Sequence, residues 1–334
     1  MSEVAHARPQ VVYIAGFGRS GSTLLERLLG ELPGWTHIGE LVDLARSVAV
    51  KQERCGCGKH FTDCPVWSAV GELAFGGWDV REVSRLAELR MLVARQRQLP
   101  RLVRHHSHPQ ADPAFAALVK EYQDGYGRIY RAVAEVTGSD VVVDASKGPA
   151  HGVALTGAAS YDLAMLNLVR DPRAVAYSWS RRALARPQAG GDPDEMWRIS
   201  PARSAAQWSG LQAELELVRT RPWLRSSRLR YEDLTREPAA ALSRALAGLG
   251  IDVPAAAMGH IEGLTADLGT SHGLSGNPGR YDIGRVRLRP DTRWQDGLPA
   301  RDRRLVTAIC LPLLPAYGYP VLHRDHPTTR RSTR

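Results

Sequence analysis

The chain has 334 residues, enough for one large α/β domain or two small ones, and its 43% hydrophobic share is ordinary for a globular protein. Net charge is +9, and of 44 basic residues only Lys51, Lys59, Lys120 and Lys147 are lysines. That balance fits an arginine-rich coding bias or an anionic ligand, whereas scattered arginines without an aromatic-basic pattern argue against nucleic acid. The polar start MSEVAHARPQ lacks a signal-peptide core, and Pro312, Pro315 and Pro320 break the uncharged run 305–322, so neither a signal peptide nor a membrane span is expected. The expectation is a cytoplasmic protein with reduced thiols.

In chain order, the β-branched run Val11 to Ala15 predicts a strand. It meets a glycine-rich turn, and Leu24, Leu25, Leu28 and Leu29 then predict a helix over 22–32. Strand, glycine loop and helix together hold phosphate, because loop N–H groups converge where the helix start is positive. Gly16, Gly18 and Gly21 fit the dinucleotide pattern G-x-G-x-x-G, with Glu40 as its ribose acid. Gly16-x4-Gly21 also fits Walker A spacing, but Ser22 stands where the phosphate-reaching lysine belongs, and the cation sits earlier, at Arg19.

A second strand is predicted at 35–38 and a helix at 41–50, for which Glu40 is a candidate N-cap. The span from about 50 to 138 carries no strong strand and reads as a helical cap inserted over the sheet edge, with helices at 81–98 and 113–136. Within it, Cys55, Cys57, Cys64 and His60 offer three thiols and an imidazole, either free thiols in a tight loop, the favoured reading, or a zinc site. The run of His105, His106 and His108 reads as a solvated loop. A strand at 140–143 opens VVVDASKGP, which carries Asp144 and Lys147, with Ser146 as a loop-orienting group; a Walker B strand is the rival reading.

The strand predicted at 163–169 ends at Arg170, with Asp171 as helix cap, Pro172 in the first turn of a helix over 172–185, and Ser178 eight residues after Arg170. A guanidinium there can grip a phosphate bidentately, and the hydroxyl can fill a remaining acceptor. A helix at 201–219 and a strand at 225–230 lead into LRYEDL, with helices at 238–248, 254–266 and 299–311 beyond. Residues 186–200 and 267–297 read as long ligand-closing loops, and 326–334 as a frayed basic tail. Tryptophans in these segments and the cap, Trp67, Trp78 and Trp197, suit either an apolar acceptor or the core. The alternation predicts an α/β fold: a P-loop-like, doubly wound parallel sheet flanked by helices, as a single domain over 1–325. Ligands then belong at the carboxyl ends of the strands, where Arg19, Asp144 and Arg170 fall.

Three segments carry a family resemblance. Arg19-Ser20-Gly21-Ser22-Thr23 resembles the 5′-phosphosulfate loop of the PAPS-dependent sulfotransferases, RDPRAVAYS at 170–178 resembles their 3′-phosphate element, and LRYEDL at 229–234 resembles their strand end with a tyrosine near the adenine. The likeness runs from about residue 11 to about 320 and points to the bacterial, actinobacterial-type branch acting on small molecules, as in natural product biosynthesis. It implies PAPS as donor, PAP as product, a small-molecule hydroxyl acceptor and no required metal. Gly18, Arg19, Ser20, Gly21, Ser22, Thr23, Arg170, Ser178, Tyr231 and Arg280 would then bind the nucleotide, with Trp294 beside it, while ordinary loop anchoring stands as an equal reading for Arg280 and Trp294. Lys147 would touch the transferring group.

For the base, Gly39-Glu40 resembles the branches that use a glutamate, and Glu40 leads; His37 and Asp144 are rivals, since the slot for the cytosolic branch's histidine holds none. A P-loop kinase or NTPase lacks its lysine here. A non-catalytic polyanion binder leaves the phosphate loop unexplained, and a dinucleotide oxidoreductase leaves Ser22-Thr23 and the Arg170–Ser178 element without a role.

Overall fold

The computed structural model describes residues 8–50, 54–181 and 198–321, with the backbone alone at 49 and 50. Trp197, the tail 326–334, most of the loop 186–200 and the end of the helix expected over 172–185 lie outside the described residues.

Five strands form a parallel sheet: β1 (Gln10–Ala15), β2 (Trp35–His37), β3 (Val141–Lys147), β4 (Asp162–Val169) and β5 (Ser226–Arg230), in the order β2-β3-β1-β4-β5. β1 lies at the centre, with Val12 opposite Val143 on one side and Ala164 on the other. Its side chains alternate between two cores. Val11, Tyr13 and Ala15 enter one apolar cluster, Val12 and Ile14 another, and all five are fully buried. A strand buried on both faces reads as a continuous apolar run, which is why these strands were legible.

One cluster packs the sheet against α2 (Pro65–Phe75), α3 (Val80–Val93), α4 (Leu99–Ser107), α5 (Pro113–Thr137) and α6 (Pro149–Leu155). The opposite cluster joins it to α1 (Ser22–Gly30) and, after the short α9 (Tyr231–Arg236), to α10 (Pro238–Ala247). A third groups α7 (Pro172–Ser180), α8 (Pro201–Arg219) and, after the short α11 (Trp294–Gly297), α12 (Ala300–Cys310).

Several expectations are corrected. No α-helix runs over 41–50; a 3-10 turn at Leu41–Asp43 and a π turn at Arg46–Val50 stand there. The helix expected at 81–98 stops at Val93, and a new one starts around Pro100, so His105 and His106 lie in a helical last turn instead of a loop. Residues 254–266 form a 3-10 turn and then strands, not a helix: β6 (Ile261–Glu262), β7 (Thr265–Leu268) and β8 (Gly284–Arg287) make an antiparallel sheet. Gly263, with φ 58°, makes the tight turn between the first two, and buried Ala266 and Leu268 alternate with exposed Asp267. The helices α2 and α6 were not anticipated, although a proline at N1 opens each.

Candidate active site

The strands β1, β3 and β4 end on one cavity of about 490 Å³, within the roughly 300–1,000 Å³ range of ligand pockets. Its wall takes Gly18, Arg19 and Gly21 from the loop after β1, Ser22 and Thr23 from the start of α1, Lys147 from β3, Glu40, Arg170, Ser178 on α7, and Tyr231.

The loop after β1 depends on glycine. A Cβ on Gly16 would lie 2.4 Å from the carbonyl oxygen of Leu168 on the adjacent strand. Gly21 has φ 97°, and a Cβ there would meet the Tyr231 ring at 2.5 Å. Arg19 itself adopts φ 71°, a left-handed conformation that costs a non-glycine residue of order 1–3 kcal/mol and that the surrounding packing must hold. Its guanidinium stands 5.3 Å from the centre of the Trp179 ring. Ser20 is buried, and its hydroxyl has no hydrogen-bond partner among the described residues.

Arg170 follows β4 with its side chain only 7% exposed. It donates to the Arg19 carbonyl at 2.9 Å and to Asp291 at 3.0 Å, and it lies 4.4 Å over the Tyr231 ring. Asp171 caps α7 as expected, accepting from the Arg173 N–H, with Pro172 at the helix start. That cap fixes the helix carrying Ser178.

Lys147 reaches the cavity through a bulge: the pairing of β1 with β3 slips between Tyr13–Asp144 and Ala15–Lys147, and Lys147 takes φ 71°. Its ammonium forms an ion pair with Glu40, the two side chains being 19% and 14% exposed. Glu40 precedes the Leu41–Asp43 turn without any side-chain capping bond, so the cap reading of this residue is not realised.

The two rival bases lie elsewhere. His37 packs beneath α1, where a Cβ on Gly30 would fall 2.4 Å from its ring; burial first, then Arg27 and His272, push its pKa down to about 3. Asp144 is fully buried below the site and accepts from the Tyr130 hydroxyl at 2.6 Å and the Ser146 N–H at 2.9 Å. Burial raises its pKa to about 6 against those hydrogen bonds. Neither residue lines the cavity. Asp144 acts through Ser146, whose hydroxyl donates to it and accepts from the Val42 N–H at 3.0 Å, tying down the segment after Glu40.

Arg280 is also away from the cavity wall. It is buried and spent on the Ser275 carbonyl, the Arg54 carbonyl and the Tyr281 hydroxyl, so it clamps its own loop. Trp294 is buried against Arg173 rather than facing the cavity. The rim cation is Arg293, which sequence reasoning missed, held by Asp291 at 2.7 Å. Arg27 was missed as well: it donates to the carbonyls of Gly269, Gly279, Arg280 and Asp282 and ties that loop to α1. Its signal was a Glu-Arg pair inside an apolar helical run.

The thiol cluster is corrected in one ligand. Cys55, Cys57 and Cys64 converge with His272, from far along the chain, whereas His60 pairs across a backbone bridge with Arg54.

A family model described as the sulfotransferase family matches residues 9–255. Among solved structures, the sulfotransferase domain of the Synechococcus PCC 7002 olefin synthase aligns at 20% identity and TM-score 0.48, over 96% of this chain and 98% of that one. The sulfotransferase domain from the curacin biosynthetic pathway aligns at 14% and 0.46, over 93% and 98%. The sulfotransferase STF9 from Mycobacterium avium aligns at 15% and 0.43, over 95% and 78%. No match is found among curated proteins.

Proposed function

We propose that this chain, which belongs to the sulfotransferase family, moves a sulfuryl group from PAPS to a hydroxyl of a small-molecule acceptor by in-line transfer. The observation that carries this reading is the common cavity: Arg19 and Arg170 line one space, joined by a hydrogen bond between them at 2.9 Å, with Lys147 and Glu40 on the same wall. A nucleotide with phosphates at both ends suits two such cations.

In this reading the loop 18–23 and Arg19 hold the 5′-phosphosulfate, while Arg170 and Ser178 hold the 3′-phosphate. Tyr231, stacked on Arg170, offers its ring to the adenine. Glu40 accepts the proton of the acceptor hydroxyl as its oxygen bonds to sulfur. The bond from sulfur to the bridging phosphate oxygen breaks, and PAP leaves carrying the electron pair. Arg19 and Lys147 stabilise the charge growing on that oxygen. Removal of one such donor costs roughly 10²–10³ in rate. The developing charge is met by side-chain cations, so the reading requires no divalent metal at the transfer step.

The test is conversion of PAPS to PAP with a panel of phenolic, sugar and lipid hydroxyl acceptors in the presence of EDTA. Acceptor-dependent PAP formation that survives the chelator supports the reading. PAP formation absent with every acceptor, alongside magnesium-dependent ATP turnover, overturns it.

A further inference from the structure

We propose that Cys55, Cys57, Cys64 and His272 bind a structural zinc ion, and that this ion staples the loop preceding α2 to the segment that closes the cavity next to Glu40.

The four ligand atoms all lie within 4.8 Å of one another. The His272 Nδ1 stands 3.2 Å from the Cys64 sulfur and 3.6 Å from the Cys55 sulfur. Tetrahedral zinc, with bonds of about 2.3 Å to sulfur and 2.0–2.1 Å to nitrogen, sets its ligands about 3.6 Å apart for sulfur–nitrogen and about 3.8 Å for sulfur–sulfur. Both thiol contacts of His272 thus stand near the spacing the ion imposes, and every other ligand pair lies within 4.8 Å. Three soft thiolates and an imidazole select zinc over the oxygen-seeking cations, and Cys3His is a closed structural set with no open position for chemistry.

The local fold serves this convergence. Cys55 and Cys64 are fully buried, while Cys57 and His272 are partly exposed, which leaves the ion a way in. The Cys55 N–H donates to the Lys59 carbonyl at 2.8 Å and the Gly58 N–H returns to the Cys55 carbonyl at 2.9 Å, a tight knuckle that presents both cysteines on one side. Cys64 is the residue at the N-cap of α2, and the Trp67 indole donates to the His272 carbonyl at 2.8 Å. Gly56 has no room for a side chain, since a Cβ would fall 2.5 Å from the Ser271 hydroxyl; the two segments touch backbone to backbone, with the Gly56 N–H on the Gly273 carbonyl at 3.2 Å.

From His272 the chain runs directly to the site. The Leu274 N–H donates to the Ile38 carbonyl at 2.9 Å, and the Glu40 N–H donates to the Leu274 carbonyl at 2.8 Å. Gly276 and Asn277 then line the cavity, and the Asn277 N–H donates to the Thr23 hydroxyl at 3.2 Å. An ion at residue 272 thus fixes the strand-like segment that holds Glu40 and covers the phosphate loop. This last consequence rests on the sulfotransferase reading; the metal site itself does not.

The experiment is elemental analysis of the full chain purified without chelator, with a cobalt-substituted sample as spectroscopic control. The expected result is zinc at one ion per chain, retained in His60→Ala and lost in Cys57→Ser and His272→Ala, with cobalt giving the charge-transfer bands of thiolate ligation and the visible bands of a tetrahedral ion. Chain that is metal-free as purified and takes up no zinc on titration overturns the proposal, as does stoichiometric zinc that persists in both ligand variants. Stoichiometric iron in place of zinc overturns the assignment of the ion. Because metal content is read without PAP, a failed zinc site and a failed sulfotransferase reading give different results: the first leaves PAP binding intact.

Discussion

Arg170 donates to Asp291 across 3.0 Å, and the same carboxylate receives Arg293 at 2.7 Å. Those contacts, Arg293 first, hold the Asp291 carboxyl well below the usual carboxylate range, so it is charged at neutral pH. A phosphate arriving at Arg170 meets that negative charge in contact with the cation it needs. Asp291→Asn should therefore tighten PAP binding by roughly three- to tenfold, on the order of 1 kcal/mol, measured by calorimetry. Weaker binding in this variant would instead make Asp291 a positioning group for the arginine.

The Glu40–Lys147 ion pair places a carboxylate and a cation side by side at the cavity wall. If Glu40 takes the acceptor proton, Glu40→Gln lowers kcat by roughly 10²–10⁴ while PAP affinity holds or improves. Single-turnover transfer from PAPS checks this, and an unchanged kcat would move the base elsewhere.

Glu26, on α1, is buried with one carboxylate oxygen unpartnered among the described residues, and burial, with Glu40 second, raises its pKa to about 8. The folded state therefore holds a proton that the unfolded chain releases near its ordinary value of 4.5. Stability is greatest below that value and is lost as pH rises toward about 8, where the folded form must ionise as well. Glu26→Gln, which does not touch the cavity, should flatten the fall in melting temperature between about pH 5 and 9. A parallel fall in wild type and variant would assign the loss to other groups.

Gly21→Ala tests the loop geometry. Its φ of 97° and the Tyr231 ring 2.5 Å from a new Cβ leave no accommodation without moving one wall of the cavity. PAP affinity should drop about tenfold or more, since a displaced loop strands several charge-assisted hydrogen bonds. A variant that binds PAP normally would show that the loop backbone does not cradle the ligand.

Local chemistry decided what the sequence could reveal. β1 and β4 carry long apolar runs because both faces are buried, and the cations follow their ends, so strand positions and Arg19 and Arg170 were readable together. Glu40 led as base only through the Gly39-Glu40 resemblance, with His37 and Asp144 as rivals, since each follows or lies in a strand; side-chain direction separates the one that lines the cavity from the two sunk beneath it. Arg280 sits in a loop whose path is set by Arg27 and its four carbonyl contacts, and Arg293 follows β8 and is held by Asp291, both tertiary arrangements without local periodicity. His272 joined the cysteines through the backbone bridge of Gly39 to Leu274, a pairing between segments with no sequence pattern to announce it.

The most direct measurement is calorimetric titration of PAP, without magnesium, into the wild-type chain, Arg19→Ala, Arg170→Ala and the double variant. One nucleotide spanning both guanidinium groups predicts binding in the wild type, a loss of roughly tenfold or more in each single variant, and a further loss in the double. Absence of PAP binding in the wild type, or a nucleotide affinity indifferent to either arginine, would contradict it.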